Sequence, residues 1–197
     1  VLDGQNTRPL IWNDFTSATA LNNSAVLDGF TVKNGNLNSG YGGGIHNVYA
    51  SPILRNLLVK TNRSLWGGGI SAQSASSPII TDVILYDNFS YGAGGGGAGA
   101  MYSDDGAPVL TNVSIIANRA NLDVGGYMCR GGNPVFNNVT IVGNQKEGFW
   151  ASNGGNISLN NSIVLNNVYT SGGAYSPKYS LIEGNTDFTN GNINPSG

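Results

Sequence analysis

Ile79-Ile80-Thr81-Asp82-Val83-Ile84-Leu85-Tyr86-Asp87-Asn88 decides the fold of this 197-residue chain, because it is one of four near-copies. The others are Ile53-Leu54-Arg55-Asn56-Leu57-Leu58-Val59-Lys60-Thr61-Asn62, Val109-Leu110-Thr111-Asn112-Val113-Ser114-Ile115-Ile116-Ala117-Asn118 and Val135-Phe136-Asn137-Asn138-Val139-Thr140-Ile141-Val142-Gly143-Asn144. Aligned on Leu54, Ile80, Leu110 and Phe136, they recur at a near-constant step, longer by one short insertion between Ile80 and Leu110. A degenerate copy begins at Val26-Leu27-Asp28-Gly29, and another at Ile157-Ser158-Leu159-Asn160-Asn161. Self-similarity at a period of roughly 26 residues marks a solenoid, in which each unit buries its apolar side only by stacking on its neighbours. Within a copy the apolar residues alternate: Val83 and Leu85 share one side with Asp87, Ile84 and Tyr86 the other, and Ser114 and Thr140 face away from Val113, Ile115, Val139 and Ile141. A period of two with β-branched enrichment means strand. Three short strands and three turns fit a repeat of this length, which predicts an all-β parallel β-helix of about six coils, stacked about 4.8 Å apart.

Two further patterns fit that geometry. Asn columns recur at Asn56, Asp82, Asn112, Asn138 and Asn161, and again at Asn62, Asn88, Asn118, Asn144 and Asn167. Asn accepts a left-handed backbone at a corner, and stacked Asn side chains hydrogen-bond along a stack, so both columns read as structural ladders. Glycine runs (42–44, 67–69, 94–97, 125–126) precede the X-Pro steps Ser51-Pro52, Ser77-Pro78, Ala107-Pro108 and Asn133-Pro134. Proline holds the preceding residue extended and starts a strand without its own donor. None of the glycine runs is followed by Gly-Lys-Ser/Thr, so none reads as a phosphate loop.

Composition narrows the function classes. Only 10% of the residues are charged, and a net charge of −2 offers no basic footprint for nucleic acid. No run approaches the ~20 apolar residues of a membrane span, so this segment is not expected to insert in a bilayer. Cys129 is the single cysteine, which rules out an intrachain disulfide. The chain begins in the middle of a pattern without an initiator Met, the expectation for a piece of a longer protein.

The Gly-Gly-x-Ile and apolar-x-x-Asn units, with Val26-Leu27-Asp28-Gly29-Phe30-Thr31-Val32, resemble the right-handed parallel β-helix repeats of large secreted and surface proteins of Bacteroidetes-type bacteria, and also those of chlamydial polymorphic outer-membrane proteins. The tail Tyr179-Ser180-Leu181-Ile182-Glu183-Gly184-Asn185 resembles the closing coil of such a domain. The resemblance covers roughly residues 1–190, and the repeat is read as one domain over residues 1–197, with a degenerate first coil (1–25), regular coils (26–170) and a closing coil and tail (171–197). It also implies an extracellular or cell-surface location. The expected role is that of a structural or adhesive stalk, with glycans or host and cell-surface proteins as partners. Alternatives are a carbohydrate-binding module, a polysaccharide lyase or hydrolase of the β-helix type, and end-to-end self-association through open coil ends.

Residues that carry chemistry are few. Asp104-Asp105 is the adjacent acidic pair and supplies the catalytic candidates, although the Gly106 and Pro108 that follow favour a turn. Pectin hydrolases of this fold share Asn-Thr-Asp, Asp-Asp, Gly-His-Gly and Arg-Ile-Lys in that order. Here Asn185-Thr186-Asp187 comes after the acidic pair, His46 before it, and Arg-Ile-Lys is missing. A lyase would want an acidic cluster for calcium beside an Arg or Lys base, and Arg55, Lys60, Arg63, Arg119 and Arg130 have no acidic companion set in the sequence. No cofactor or metal is therefore expected. His46 has no visible ligand partner and reads as a surface or turn residue, while Cys129 reads as a semi-buried thiol at a turn beside Arg130. Tyr41, Trp66, Tyr91, Tyr127 and Trp150 fall near the glycine-rich segments about once per coil. They would serve as stacking platforms if outward and as packing if inward, with Trp66 and Tyr91 the best candidates for exposed ligand contacts.

Overall fold

The register read from the repeat is the register of the backbone hydrogen bonds: Leu54 pairs with Ile80, Ile80 with Leu110 and Leu110 with Phe136. The computed structural model describes residues 1–92, 97–165, 167–186 and 189–193, together with the backbone but not the side chain of Asn167. Residues 93–96, which hold most of the third glycine run, Asp187 and the last residues, 194–197, lie outside that description. Strands stack in parallel, each on its counterpart one coil away. The inward column of one face runs Leu2, Val32, Val59, Leu85, Ile115, Ile141 and Val164, which makes six coils, and a shorter turn carries it on to Ile182. Coil length is not constant: the step in sequence is 26 from Asn62 to Asn88, 30 from Asn88 to Asn118 and only 18 from Ser162 to Ser180.

Each regular coil has three faces. The first carries segments such as Val26–Asp28, Val109–Thr111 and Val135–Asn137, and the second carries Thr31–Lys33, Ser114–Ile116 and Thr140–Val142. In Ile53–Lys60 and Ile79–Tyr86 one continuous strand spans both faces. The bend between them falls on the first Asn column, where Asn56, Asp82, Asn112, Asn138 and Asn161 all have φ between 49° and 56°. The third face is a seven-stranded sheet that includes Ile11–Asp14, Ile45–Val48, Ile70–Gln73, Met101–Asp104 and Tyr127–Arg130. A fourth, two-residue strand (Arg63–Ser64, Phe89–Ser90, Arg119–Ala120) stands between the second and third faces, one more per coil than the repeat suggests.

The core is made of stacked columns. Leu54, Ile80, Leu110, Phe136 and Leu159 line the first face, Val59, Leu85, Ile115 and Ile141 the second, and Ile45, Ile70, Met101, Tyr127 and Phe149 the third, all buried. Full burial of such a side chain contributes about 1.5–3 kcal/mol, and every one is secured only by the coil above and below. Pro52, Pro78, Pro108 and Pro134 form a buried column at the entry to the first face. Each carbonyl of this column accepts from the next coil, as in Ile79 N–H to Pro52 O and Val109 N–H to Pro78 O.

The second Asn column differs from its reading in the sequence. The left-handed residue there is the one before it (Thr61, Asp87, Ala117, Gly143), and that bend turns the Asn inward. Asn62, Asn88, Asn118 and Asn144 are buried, and the Oδ1 of Asn88, Asn118 and Asn144 each accepts both the backbone N–H and the side-chain amide of its counterpart one coil earlier, for Asn88 at 3.1 Å in both cases. The four Nδ2 atoms also donate to the Val32, Val59, Leu85 and Ile115 carbonyls. Gly69 makes room for this chain, since a Cβ at that position would press on the Asn88 amide at 3.1 Å. Asn167 aligns with Asn144 by sequence, but its backbone pairs with Glu147 at the head of a third-face strand. As the coils shorten, the apolar column Leu57, Val83, Val113 and Val139 gives way to buried Ser162, Ser180 and Asn192, which continue the vertical hydrogen bonding.

Candidate functional site

On the third face the period of two that buries Ile45 and Ile70 turns the intervening residues outward. Stacked in register, these are Trp12, His46, Ser71, Tyr102, Met128, Trp150 and Tyr169, a column rich in aromatic rings. The segment entering each third-face strand folds back over the middle of the column. Gly67, at φ 65°, makes the tight left-handed bend that brings Trp66 over it, and Trp66 bridges to Tyr41 one coil below. Ala98, Tyr102, Val124 and Met128 form a second buried apolar cluster outside the main core, with Tyr41, Trp66 and Trp150 packed against it. The rings of Tyr41 and Trp66 lie 4.4 Å apart, those of Tyr41 and Tyr102 5.7 Å, and those of Trp12 and His46 4.1 Å. The two ends of the column are open: Trp12 is 49% exposed and Tyr169 50%.

Beside the rings runs a second outward column, Asp14, Val48, Gln73, Asp104, Arg130 and Ser152. Asp104 pairs with Arg130 at 3.6 Å. Burial pushes the Asp104 carboxyl above its ordinary range, Arg130 draws it back and Asp105 adds to the rise. Tyr102 is pushed up to about 12 by burial and then by the Asp104 charge. Among the described residues, two buried donors without a hydrogen-bond partner, Gln73 Nε2 and Trp150 Nε1, both sit on this face. Unmet buried donors are uncommon, and both of these lie beneath the outer side chains rather than facing solvent.

The acidic pair separates as strand and turn dictate. Asp104 closes the strand Met101–Asp104 and faces out, and Asp105 takes the left-handed turn at φ 57°. His46 is not a surface or turn residue: it is buried in a strand, its Nδ1 is 2.8 Å from Ser71 Oγ, and burial lowers its pKa against the opposing pull of Asp14. Ser71 is itself fully buried, so the pair offers substrate no open nucleophile. Cys129 likewise lies within a strand, not at a turn; alternation sends it inward while Arg130 points out, and burial pushes the thiol up to about 12. Proximity in sequence to Arg130 therefore does not activate it. Among the described residues no group of three or more His, Cys, Asp or Glu converges to hold a metal ion.

The five aromatic candidates divide among three environments. Tyr127 points into the core, its hydroxyl 2.7 Å from Ser103 Oγ. Tyr41, Trp66 and Trp150 pack on the outer third face, where Trp66 is half-buried rather than a free platform. Tyr91 is remote from them, edge-on to Phe89 at 5.2 Å beside the short sheet, with its hydroxyl donating to Asn36. Trp12 and Tyr169, the exposed rings, are missed by sequence reasoning because neither adjoins a glycine run; their period-two register with His46 and Trp150 was the available signal.

A stack of parallel coils with inward Asn and apolar columns defines the β-helix class of solenoid. Within it, the chain belongs to the right handed beta helix region family, whose model matches residues 61–193. Comparison with curated proteins and with solved structures found no match.

Proposed function

We propose that this β-helix is a rigid structural and adhesive module of a secreted or cell-surface protein, with the outer third face as its recognition surface. The observation that carries the reading is the buried chain Asn62–Asn88–Asn118–Asn144, which ties successive coils through side-chain hydrogen bonds and commits the interior to stiffness. A rod of this kind holds surface groups at fixed spacings, which is what an adhesive stalk requires. The exposed rings of Trp12 and Tyr169 favour glycans as the bound class, since sugars present flat C–H faces that stack on such rings.

The test is a binding screen on immobilised glycans and on bacterial and host cell surfaces, with a reducing-sugar assay run in parallel. Retention without product release, weakened by combined Trp12→Ala and Tyr169→Ala, is the expected result. Release of product would make the module an enzyme, with Asp104→Asn the first variant to assay. Absence of retention on every surface would remove the adhesive half of the reading and leave a spacer.

A further inference from the structure

A separate groove opens on the short sheet, away from the third face. Its three strands stack Arg63, Phe89 and Arg119 in one outward column while Ser64, Ser90 and Ala120 turn inward. Adjacent rungs are about 4.8 Å apart, so the two arginines flank the ring at about 10 Å from each other, within side-chain reach of a common ligand. Thr61, Arg63, Asp87, Phe89 and Arg119 line a groove of about 180 Å³. The left-handed bends at Thr61 and Asp87 (φ 53° and 49°) set its floor on the second-face side.

The two guanidinium groups are in different states. Arg119 is held: its Nη2 is 2.9 Å from Asp87 Oδ1 and its Cζ 5.7 Å from the centre of the Phe89 ring. Arg63 is exposed, and among the described residues no carboxylate lies within ion-pair distance of it. Asp87 offsets Arg119, which leaves one uncompensated positive charge in the groove, on a protein whose net charge is −2. The single proton of the Thr61 hydroxyl is shared between the Lys60 carbonyl at 2.7 Å and Asn34 Oδ1 at 2.8 Å, so toward the groove it is an acceptor. Tyr91, edge-on to Phe89, fixes the plane of the platform ring.

We propose that this groove binds a singly charged oxyanion, a carboxylate or a sulfate ester, carried on a sugar ring. Arg63 meets the anion, Phe89 supports the ring and Thr61 accepts from a ring hydroxyl. Arginine fits this role because its planar fork of donors matches the oxygens of both anions. The site stands independently of the adhesive reading of the third face.

The experiment is calorimetric titration of the whole chain with a carboxylated disaccharide, a sulfated disaccharide, their neutral parent and sodium sulfate. At low salt one or both charged disaccharides should bind at least tenfold more tightly than the neutral parent, with the gap closing as ionic strength rises. Arg63→Ala should bring charged and neutral ligands level, Arg63→Lys should restore part of the difference, and Phe89→Leu should weaken the saccharides without creating affinity for sodium sulfate. Thermal unfolding of each variant confirms that the fold is retained, and the exposed Arg63 pair of variants carries the test if Phe89→Leu unfolds. Equal affinity for charged and neutral disaccharides, or unchanged binding in Arg63→Ala, overturns the proposal. Tight sodium sulfate binding without either charged disaccharide overturns its sugar component.

Discussion

Replacing Asn88 by Ala tests whether the inward Asn chain holds the coils together or merely fills space. Asn88 Oδ1 accepts from the backbone N–H and the side-chain amide of Asn62, both at 3.1 Å, and its Nδ2 donates to Val59 O and Asn118 Oδ1 at 2.9 and 3.0 Å. Truncation strands two buried donors on Asn62 and removes a partner from the Val59 carbonyl. Each buried group left unpaired costs about 1–3 kcal/mol, so even the low end for the two stranded donors gives a loss of about 2 kcal/mol. That is a large part of the ~5–15 kcal/mol that stabilises an ordinary domain. The control is Asn138→Ala in the outer column, where the side chain is exposed and bonds Asn112 at 3.2 Å. Its cost should be about 1 kcal/mol, from placing Ala in a left-handed backbone at φ 55°. Urea unfolding measures both losses, and hydrogen exchange localises the first, because the Asn62 amide proton should lose protection while amides two coils away keep theirs. A loss below about 1 kcal/mol for Asn88→Ala, or unchanged protection at Asn62, would refute the assignment of stability to this chain.

Three further outcomes follow from the geometry. The Cys129 thiol, fully buried with its pKa pushed up to about 12, should resist aromatic disulfide reagents at pH 8 in the native protein and react on unfolding; full labelling of folded protein within minutes would contradict the burial. Gly126→Ala should cost about 3 kcal/mol or prevent folding, because a Cβ there collides with the Gly148 carbonyl, whereas Gly143→Ala meets open space and should cost about 1 kcal/mol for its left-handed φ; similar melting points would negate this. Burial lowers the pKa of His46 below 6.5, so the unfolded chain binds a proton that the fold resists, and stability should fall as pH drops through 6.5 and level off below the folded value. His46→Gln should flatten that slope between pH 7 and 5 in thermal melts, and an unaltered slope would show that His46 does not govern it.

Legibility in the sequence followed the regularity of each feature. The strand register was open to reading because Leu54, Ile80, Leu110 and Phe136 must stack to be buried, and a slip by one residue would turn them all to water. The outer Asn column was open for a similar reason, since its residues themselves take the left-handed bend. The inner column looks the same in sequence and behaves differently, because its bend falls one residue earlier on Thr61, Asp87, Ala117 and Gly143, a set with no common side chain to betray it. Trp66 and Tyr91 both border glycines, yet what they contact depends on which segment folds back over a neighbouring coil, a tertiary fact that local sequence does not encode. His46 and Cys129 read as turn residues because their strands are short and flanked by glycine, which masks the alternation.

Coils of this molecule differ in length, yet their columns stay aligned: Asn88 stands 30 positions before Asn118, and Ser162 only 18 before Ser180. The longest interior step shows how. Ser90 and Ala120 are farther apart in sequence than Ser64 and Ser90, and the surplus lies between Ser90 and Met101, ahead of a third-face strand that still pairs in register on both sides. Girth and pitch are thus uncoupled, like a screw whose thread keeps its lead while its diameter changes. Any two surface groups on one column are separated by whole multiples of about 4.8 Å, whatever is inserted at the corners between them. The module is in that sense a ruler, and loops added at its corners would change what is displayed without altering the graduations.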